Sequence, residues 1–399
     1  MTHTPYAWNA ALVAVLDTGC DLTAAGLLTT SDGKPKYVDF IDCTGGGDID
    51  TSKKASVDAD GTVLGLSGRK LKLGEWADGV GEFRLGAFRL FDMLPSSVVR
   101  RVKAERKALF EAEQHATVTR VQRELDALAA GVGGGDADAA ASKTELELQL
   151  KELKGLMDGY DDAGPLLDVL VFEGPSDGVL RAVVDVAAEG DVRDTTPMAP
   201  YRHARQVGDL GHASAVSFCV QIHDGGDIVS VVTDAGSHGT HVAGIVAANF
   251  EGGDGERDGV APGAQILACK IGDGRLDSAE TGTGLVRALL EAKKAGCELI
   301  NLSYGEPFYS AEGGRVMEAF ADATRKCVLA VRRIAITPPT AHAAAHAAAH
   351  PQPTTPHHTP PHPTTPHHTP ASSLACVRMP SCTHACMHPH ACARSPGGG

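Results

Sequence analysis

The chain has 399 residues, 43% of them apolar, enough for one large domain or two ordinary ones with a sizeable core. Its formal charge of −14 argues against nucleic acid or an anionic membrane surface as the main partner. No basic segment followed by an apolar core opens the sequence, and no apolar run reaches membrane-spanning length, so a soluble protein without an export signal is expected. Cysteines 20, 43, 219, 269, 297 and 327 stand singly, several in apolar runs. That is the usage of reduced, buried thiols and predicts a cytoplasmic location.

Ala10–Leu16 is a short apolar run ended by Asp17-Thr18-Gly19, which reads as a central parallel strand presenting Asp17 at its carboxyl end. Tyr37–Asp42 reads as a second strand, followed by Thr44-Gly45-Gly46-Gly47-Asp48. No G-x-x-x-x-G-K-[ST] pattern follows, so those glycines are read as a turn. From Pro95 to about Ala130 the spacing of Val98, Val99, Val102, Leu109 and Phe110 predicts a helix with one apolar face. The glycines of 131–135 break it, a second helix is expected over Ser142–Met157, and the pair reads as a helical hairpin with a flexible tip. Turn residues then predict two β-hairpins, Leu166–Phe172 with Val179–Val186 and Ala215–His223 with Ile228–Thr233.

In Ser237-His238-Gly239-Thr240-His241-Val242-Ala243-Gly244 a polar, Gly-flanked histidine precedes a run of small apolar residues. The run reads as a buried helix lying close against a sheet, with His238 in its first turn. Strand and helix then alternate: strand Gln265–Ile271, helix Glu280–Ala295, strand Cys297–Leu302, helix Gly314–Arg325 and strand Cys327–Val331. Such alternation predicts an α/β fold, a parallel sheet with helices on both faces. Beyond Val331 there is no Asp, Glu, Lys or aromatic residue, and a ten-residue Pro/Thr/His unit occurs twice between positions 351 and 370. A segment of that composition cannot build an apolar core and is expected to be disordered.

Asp17 and His238 are 221 positions apart, yet both are placed at the carboxyl edge of one sheet, where α/β folds build their sites. The chemistry that needs this pair is acyl transfer, in which a carboxylate fixes an imidazole that takes the proton of a serine. The Asp and His segments resemble those of subtilisin-like serine peptidases, and the order Asp, His, Ser is theirs. Within that clan the tripeptidyl peptidase II family is the nearest resemblance. It is carried by Asp32-Gly33-Lys34-Pro35-Lys36, the long insertion, Pro262–Leu267, Glu280-Thr281-Gly282-Thr283-Gly284-Leu285 and Asn301-Leu302-Ser303-Tyr304-Gly305-Glu306.

The resemblance covers roughly residues 8 to 331 and implies a first peptidase part in 1–50, an insertion in 51–212, a second peptidase part in 213–331 and a tail in 332–399. It implies Asp17 as orienter and His238 as general base and acid, with His241 structural. Ser303, Tyr304 and Gly305 would pair with the substrate main chain, and Glu280 and Glu306 would bind the free ammonium of the substrate. The implied activity is a cytoplasmic exopeptidase that releases tripeptides from oligopeptides, needs no cofactor or metal, and assembles into a homo-oligomer.

Neither a Gly-Thr-Ser-Met/x-Ala segment nor an Ala-Gly-Asn-x-Gly segment occurs in the sequence, so no serine nucleophile or oxyanion amide is recognisable. The expectation is a truncated or inactive form, with the tail read as the product of a faulty gene model or of non-coding sequence. A non-catalytic peptidase-like fragment, acting as a binding or assembly partner, is the alternative. An aspartic peptidase would need a second Asp-Thr-Gly motif or a homodimer of β-rich lobes. A metal site at His238 and His241 lacks the glutamate of H-E-x-x-H, and the Cys/His cluster of 382–392 fits no common zinc module.

Overall fold

In a computed structural model, residues 11–130, 137–212, 214–252, 255–305, 310–325 and 327–331 are described. Glu306, the glycine-rich helical tip and the tail 332–399 lie outside these residues.

Five parallel strands form the central sheet, in the order Val328–Val331, Leu299–Leu302, Leu12–Asp17, Gln265–Lys270 and Tyr37–Asp42. Leu12–Asp17 is central because its run is apolar at every position before the aspartate, which suits a strand covered on both faces. Its side chains alternate between two cores. Val13 and Val15 join Val242, Ala243 and Ala247 of the helix His238–Ala247. Ala14 and Leu16 join Leu285, Ala288 and Leu289 of the helix Gly282–Ala295 on the opposite face. Each large aliphatic chain buried there contributes roughly 1.5–3 kcal/mol. The parallel sheet with helices on both faces is therefore present as the alternation of elements predicts.

The helix Gly282–Ala295 starts two residues later than the sequence suggests. The Thr281 hydroxyl accepts from the Gly284 amide at 3.1 Å and caps it, and Gly296 closes it with φ of 76°. Glu280 consequently stands ahead of the helix, in a two-residue strand, Ala279–Glu280, paired with Gly272–Asp273.

Residues 51–212 contain both expected helices, Ser96–Ala129 and Ala137–Asp158, the second starting five residues earlier than the sequence suggests, and the hairpin of Leu166–Glu173 with Leu180–Val184. The apolar face of the first helix is narrower than its spacing suggests. Val102 is buried, whereas Leu109 is 68% exposed, and Phe110 stacks on Tyr160 with ring centroids 4.4 Å apart. Before the helices the chain forms short strands that the sequence reading missed: Lys53–Ala55, Thr62–Leu64, Lys70–Lys72 and Phe83–Arg89. Their inward residues, Val63, Leu71, Phe83 and Leu85, meet Leu170, Phe172 and Val183 in a core of their own. The hairpin of Ser217–His223 with Ile228–Val232 links the two parts. Its Cys219 and Val232 belong to the core beside the central sheet, and Val220, Val229 and Val231 to a second core with Phe88, Leu90, Leu167 and Val169. Asp39 ties this junction, accepting from Gln221 Nε2 at 2.7 Å and Arg202 Nε at 2.9 Å.

Candidate active site

Asp17 is the last residue of the central strand, and His238 opens the helix packed on the same sheet. Nδ1 of His238 lies 2.7 Å from Oδ1 of Asp17. An ionised carboxylate can only accept, so this contact places the imidazole proton on Nδ1 and leaves the lone pair on Nε2. The Asp17 side chain is 1% exposed and that of His238 46%. The carboxylate is thus enclosed while the ring edge faces solvent. Oδ1 of Asp17 also accepts from the Thr18 amide at 2.8 Å, whereas its buried Oδ2 has no hydrogen-bond partner among the described residues. The imidazole therefore faces a carboxylate whose charge is little dispersed by other donors.

Two residues whose part the sequence reading left open hold helix and strand together. The Thr18 hydroxyl donates to the Gly236 carbonyl at 2.9 Å and accepts from the Gly239 amide at 2.9 Å. One side chain at the strand end thereby satisfies an amide of the helix's first turn, where N–H groups lack intrahelical partners. Gly239 is required by contact: a Cβ there would meet the Gly19 carbonyl oxygen at 2.0 Å and Asp17 Cβ at 3.2 Å. The only signal in the sequence was that Thr18 and Gly239 sit inside the quoted Asp and His motifs.

The segment Ser303-Tyr304-Gly305 follows the strand Leu299–Leu302. The Tyr304 ring meets the His238 ring edge-on with centroids 6.4 Å apart, and its hydroxyl donates to the Ser278 carbonyl. Ser278 Oγ in turn donates to the Ala235 carbonyl at 3.1 Å, just ahead of the histidine segment. Ser303 Oγ accepts from Asn301 Nδ2 at 3.2 Å. Glu280 is partly buried two residues beyond Ser278. The structure thus gathers Asp17, His238 and Tyr304, with Ser303, Gly305 and Glu280 on the adjoining segments; Glu306 lies outside the described residues. His241, one turn on, is exposed. No serine hydroxyl among the described residues bonds the His238 ring, and no group of three or more His, Cys, Asp and Glu among them could hold a metal. Chemically the pair can take a proton at Nε2 and stabilise the imidazolium that forms.

Asp234, four residues before His238, has its carboxyl pushed up to about 6, chiefly by burial and further by Asp21, with Lys270 opposing. A carboxyl that titrates higher folded than unfolded favours the native state when protonated, so this contribution is lost as pH rises from about 4 to about 6. Asp234→Asn is therefore expected to be more stable than the wild type above pH 6, by about 1–3 kcal/mol, and to match it below pH 4. Urea unfolding across that range checks this, and a pH-independent difference would contradict it.

The subtilase family, peptidase S8, matches residues 9–349. The chain belongs to that family, whose members are serine peptidases, and its parallel sheet and helices are the family's fold. It is 40% identical over 333 residues to tripeptidyl-peptidase 2 of Oryza sativa subsp. japonica, a match covering 81% of this chain and 24% of that protein. With the Arabidopsis thaliana tripeptidyl-peptidase 2 the identity is 39% over 333 residues, again 81% of this chain and 24% of that one. A crystal structure of tripeptidyl peptidase 2 superposes with a TM-score of 0.60 at 26% identity, over 81% of this chain and 26% of that one. The chain spans about a quarter of the length of these relatives. No helix among the described residues is long and apolar enough to cross a membrane.

Proposed function

We propose that this chain carries the Asp–His portion of a serine peptidase of the tripeptidyl peptidase II kind. The observation that carries the reading is the 2.7 Å contact between Asp17 and His238 Nδ1, which leaves Nε2 as the base. In this reading Asp17 holds the tautomer, and His238 takes the proton of a serine and returns it to the leaving amine. Ser303, Tyr304 and Gly305 pair with the substrate main chain. Glu280 and Glu306 hold the substrate's free ammonium, so that the scissile bond falls a fixed distance from the N-terminus and tripeptides leave. The substrates are oligopeptides, the setting is cytoplasmic, and the working form is a homo-oligomer. Because the sequence has no recognisable serine or oxyanion segment, the 399-residue chain alone is expected to be inactive.

Two preparations test this. The purified chain should not react with a fluorophosphonate, which modifies activated serines. A chimera of residues 1–331, continued by the part of the rice relative beyond their shared region, should be labelled. It should also release tripeptides from a fluorogenic substrate with a free N-terminus, and not from its N-acetylated form. Clean labelling of the 399-residue chain would overturn the claim of inactivity. A folded chimera that neither labels nor cleaves would overturn the peptidase assignment.

A further inference from the structure

Lys36 precedes the strand Tyr37–Asp42 and is wholly buried. A buried lysine normally faces a carboxylate, yet among the described residues none lies within ion-pair distance of this one. Its ammonium instead donates to three backbone carbonyls, those of Ala247 at 2.6 Å, Pro262 at 2.7 Å and Ala264 at 3.2 Å. An ammonium has three protons and no acceptor, so the three oxygens saturate it. Its backbone is fixed as well: the Lys36 amide donates to Leu28 and its carbonyl accepts from Ile266.

The three oxygens come from two segments that backbone hydrogen bonds already join, from Val260 to Ile245 at 2.9 Å and from Ala261 to Val246 at 2.9 Å, and the Pro262 carbonyl also accepts from the Ser31 amide at 3.0 Å. Ala247 is the last residue of the helix that His238 opens, where carbonyls lack intrahelical partners and the helix dipole is negative. Pro262 and Ala264 lead into the strand Gln265–Lys270. Burial lowers the Lys36 pKa to about 8, with Asp32 and Asp258 opposing the fall, so the group stays charged at neutral pH. Several carbonyl oxygens converging on one positive centre make the kind of site proteins use for hard cations.

We propose that the carbonyls of Ala247, Pro262 and Ala264 form a structural cation site which the chain fills with its own Lys36 ammonium, pinning the C-terminal end of the His238 helix to the sheet. Shortening the side chain leaves the cage able to take a small free cation, ammonium or methylammonium best, because these reproduce the N–H donors. The inference concerns the folded chain and is independent of whether it is a peptidase.

The test compares wild type, Lys36→Ala and Lys36→Met by thermal unfolding in chloride salts of choline, ammonium, methylammonium, potassium and calcium at equal ionic strength. Both variants should melt several degrees below the wild type in choline chloride. Lys36→Ala alone should recover in ammonium or methylammonium, saturably, while Lys36→Met, whose thioether fills the cage, should not. A Lys36→Met protein as stable as the wild type would overturn the proposal, as would a Lys36→Ala protein indifferent to every cation. Should Lys36→Ala not fold, reductive dimethylation of the native wild type with mass spectrometry decides. Lys36 should react about tenfold or more slowly than its exposed neighbour Lys34, and equal rates would sink the idea.

Discussion

Asp17→Asn in the serine-bearing chimera is expected to lower kcat by about 10⁴-fold with little change in KM, because the loss falls on the transition state. An asparagine offers an amide N–H where the carboxylate accepted from His238 Nδ1, so it can hold the other tautomer, with the proton on Nε2. The imidazolium also loses the enclosed negative charge 2.7 Å away. Geometry is nearly conserved, since the two side chains are isosteric, so stability should change far less than activity. Initial rates on the tripeptide substrate, together with ¹⁵N spectra of the ring, check this. A variant that keeps more than about a tenth of the chimera's kcat would show that Asp17 does not orient the base.

Gly239→Ala is expected to be the most damaging single methyl added near the site. Within a helix, alanine is favoured over glycine by about 1 kcal/mol, so local propensity predicts stabilisation. Contact predicts the opposite, because the new Cβ would lie 2.0 Å from the Gly19 carbonyl oxygen, a backbone atom that cannot rotate away. Overpacking of this kind costs about 1–3 kcal/mol or more, and relief requires the helix to lift from the strand end. Lifting it also strains the Thr18 contact to the Gly239 amide and separates His238 from Asp17. A lowered denaturation midpoint in the 399-residue chain is the expected readout. In the chimera kcat should fall with it, and an unchanged midpoint would show that the helix sits further from the strand than described.

Much of the frame was legible because each element announces itself locally. The run before Asp17 is apolar throughout and too short for a typical helix, so it read as a doubly covered strand. The small residues after His238 marked a helix meant to lie close to its neighbour. The hairpins at 166–184 and 217–232 were visible through their turn residues. The three-residue strands before the helical pair were not, since Lys53, Lys54, Lys70 and Lys72 are charged and exposed and so short a strand carries too few inward positions to set a period, and in the seven-residue Phe83–Arg89 the arginines and Gly86 break up the apolar run. Leu109 misled for a related reason: its spacing matches Val102, but it is exposed, and it is the next residue, Phe110, that meets Tyr160. Glu280 was placed on a helix because Thr281 was not recognised as its cap.

What the sequence determined by itself was the chemistry available and the order in which it comes: an aspartate at a strand end, a histidine opening a helix, and alternating elements that must make a parallel sheet. These follow from burial patterns and turn residues, which act over a few positions. Only the tertiary structure decided that residues 221 apart meet at 2.7 Å, that Thr18 bonds the backbone on either side of His238, at Gly236 and Gly239, and that Gly239 lets the helix approach. It also decided that the charge of Lys36 is met by three carbonyls rather than by an acid. Such contacts depend on how a helix packs on a sheet, to within fractions of an ångström, and no local propensity encodes that distance.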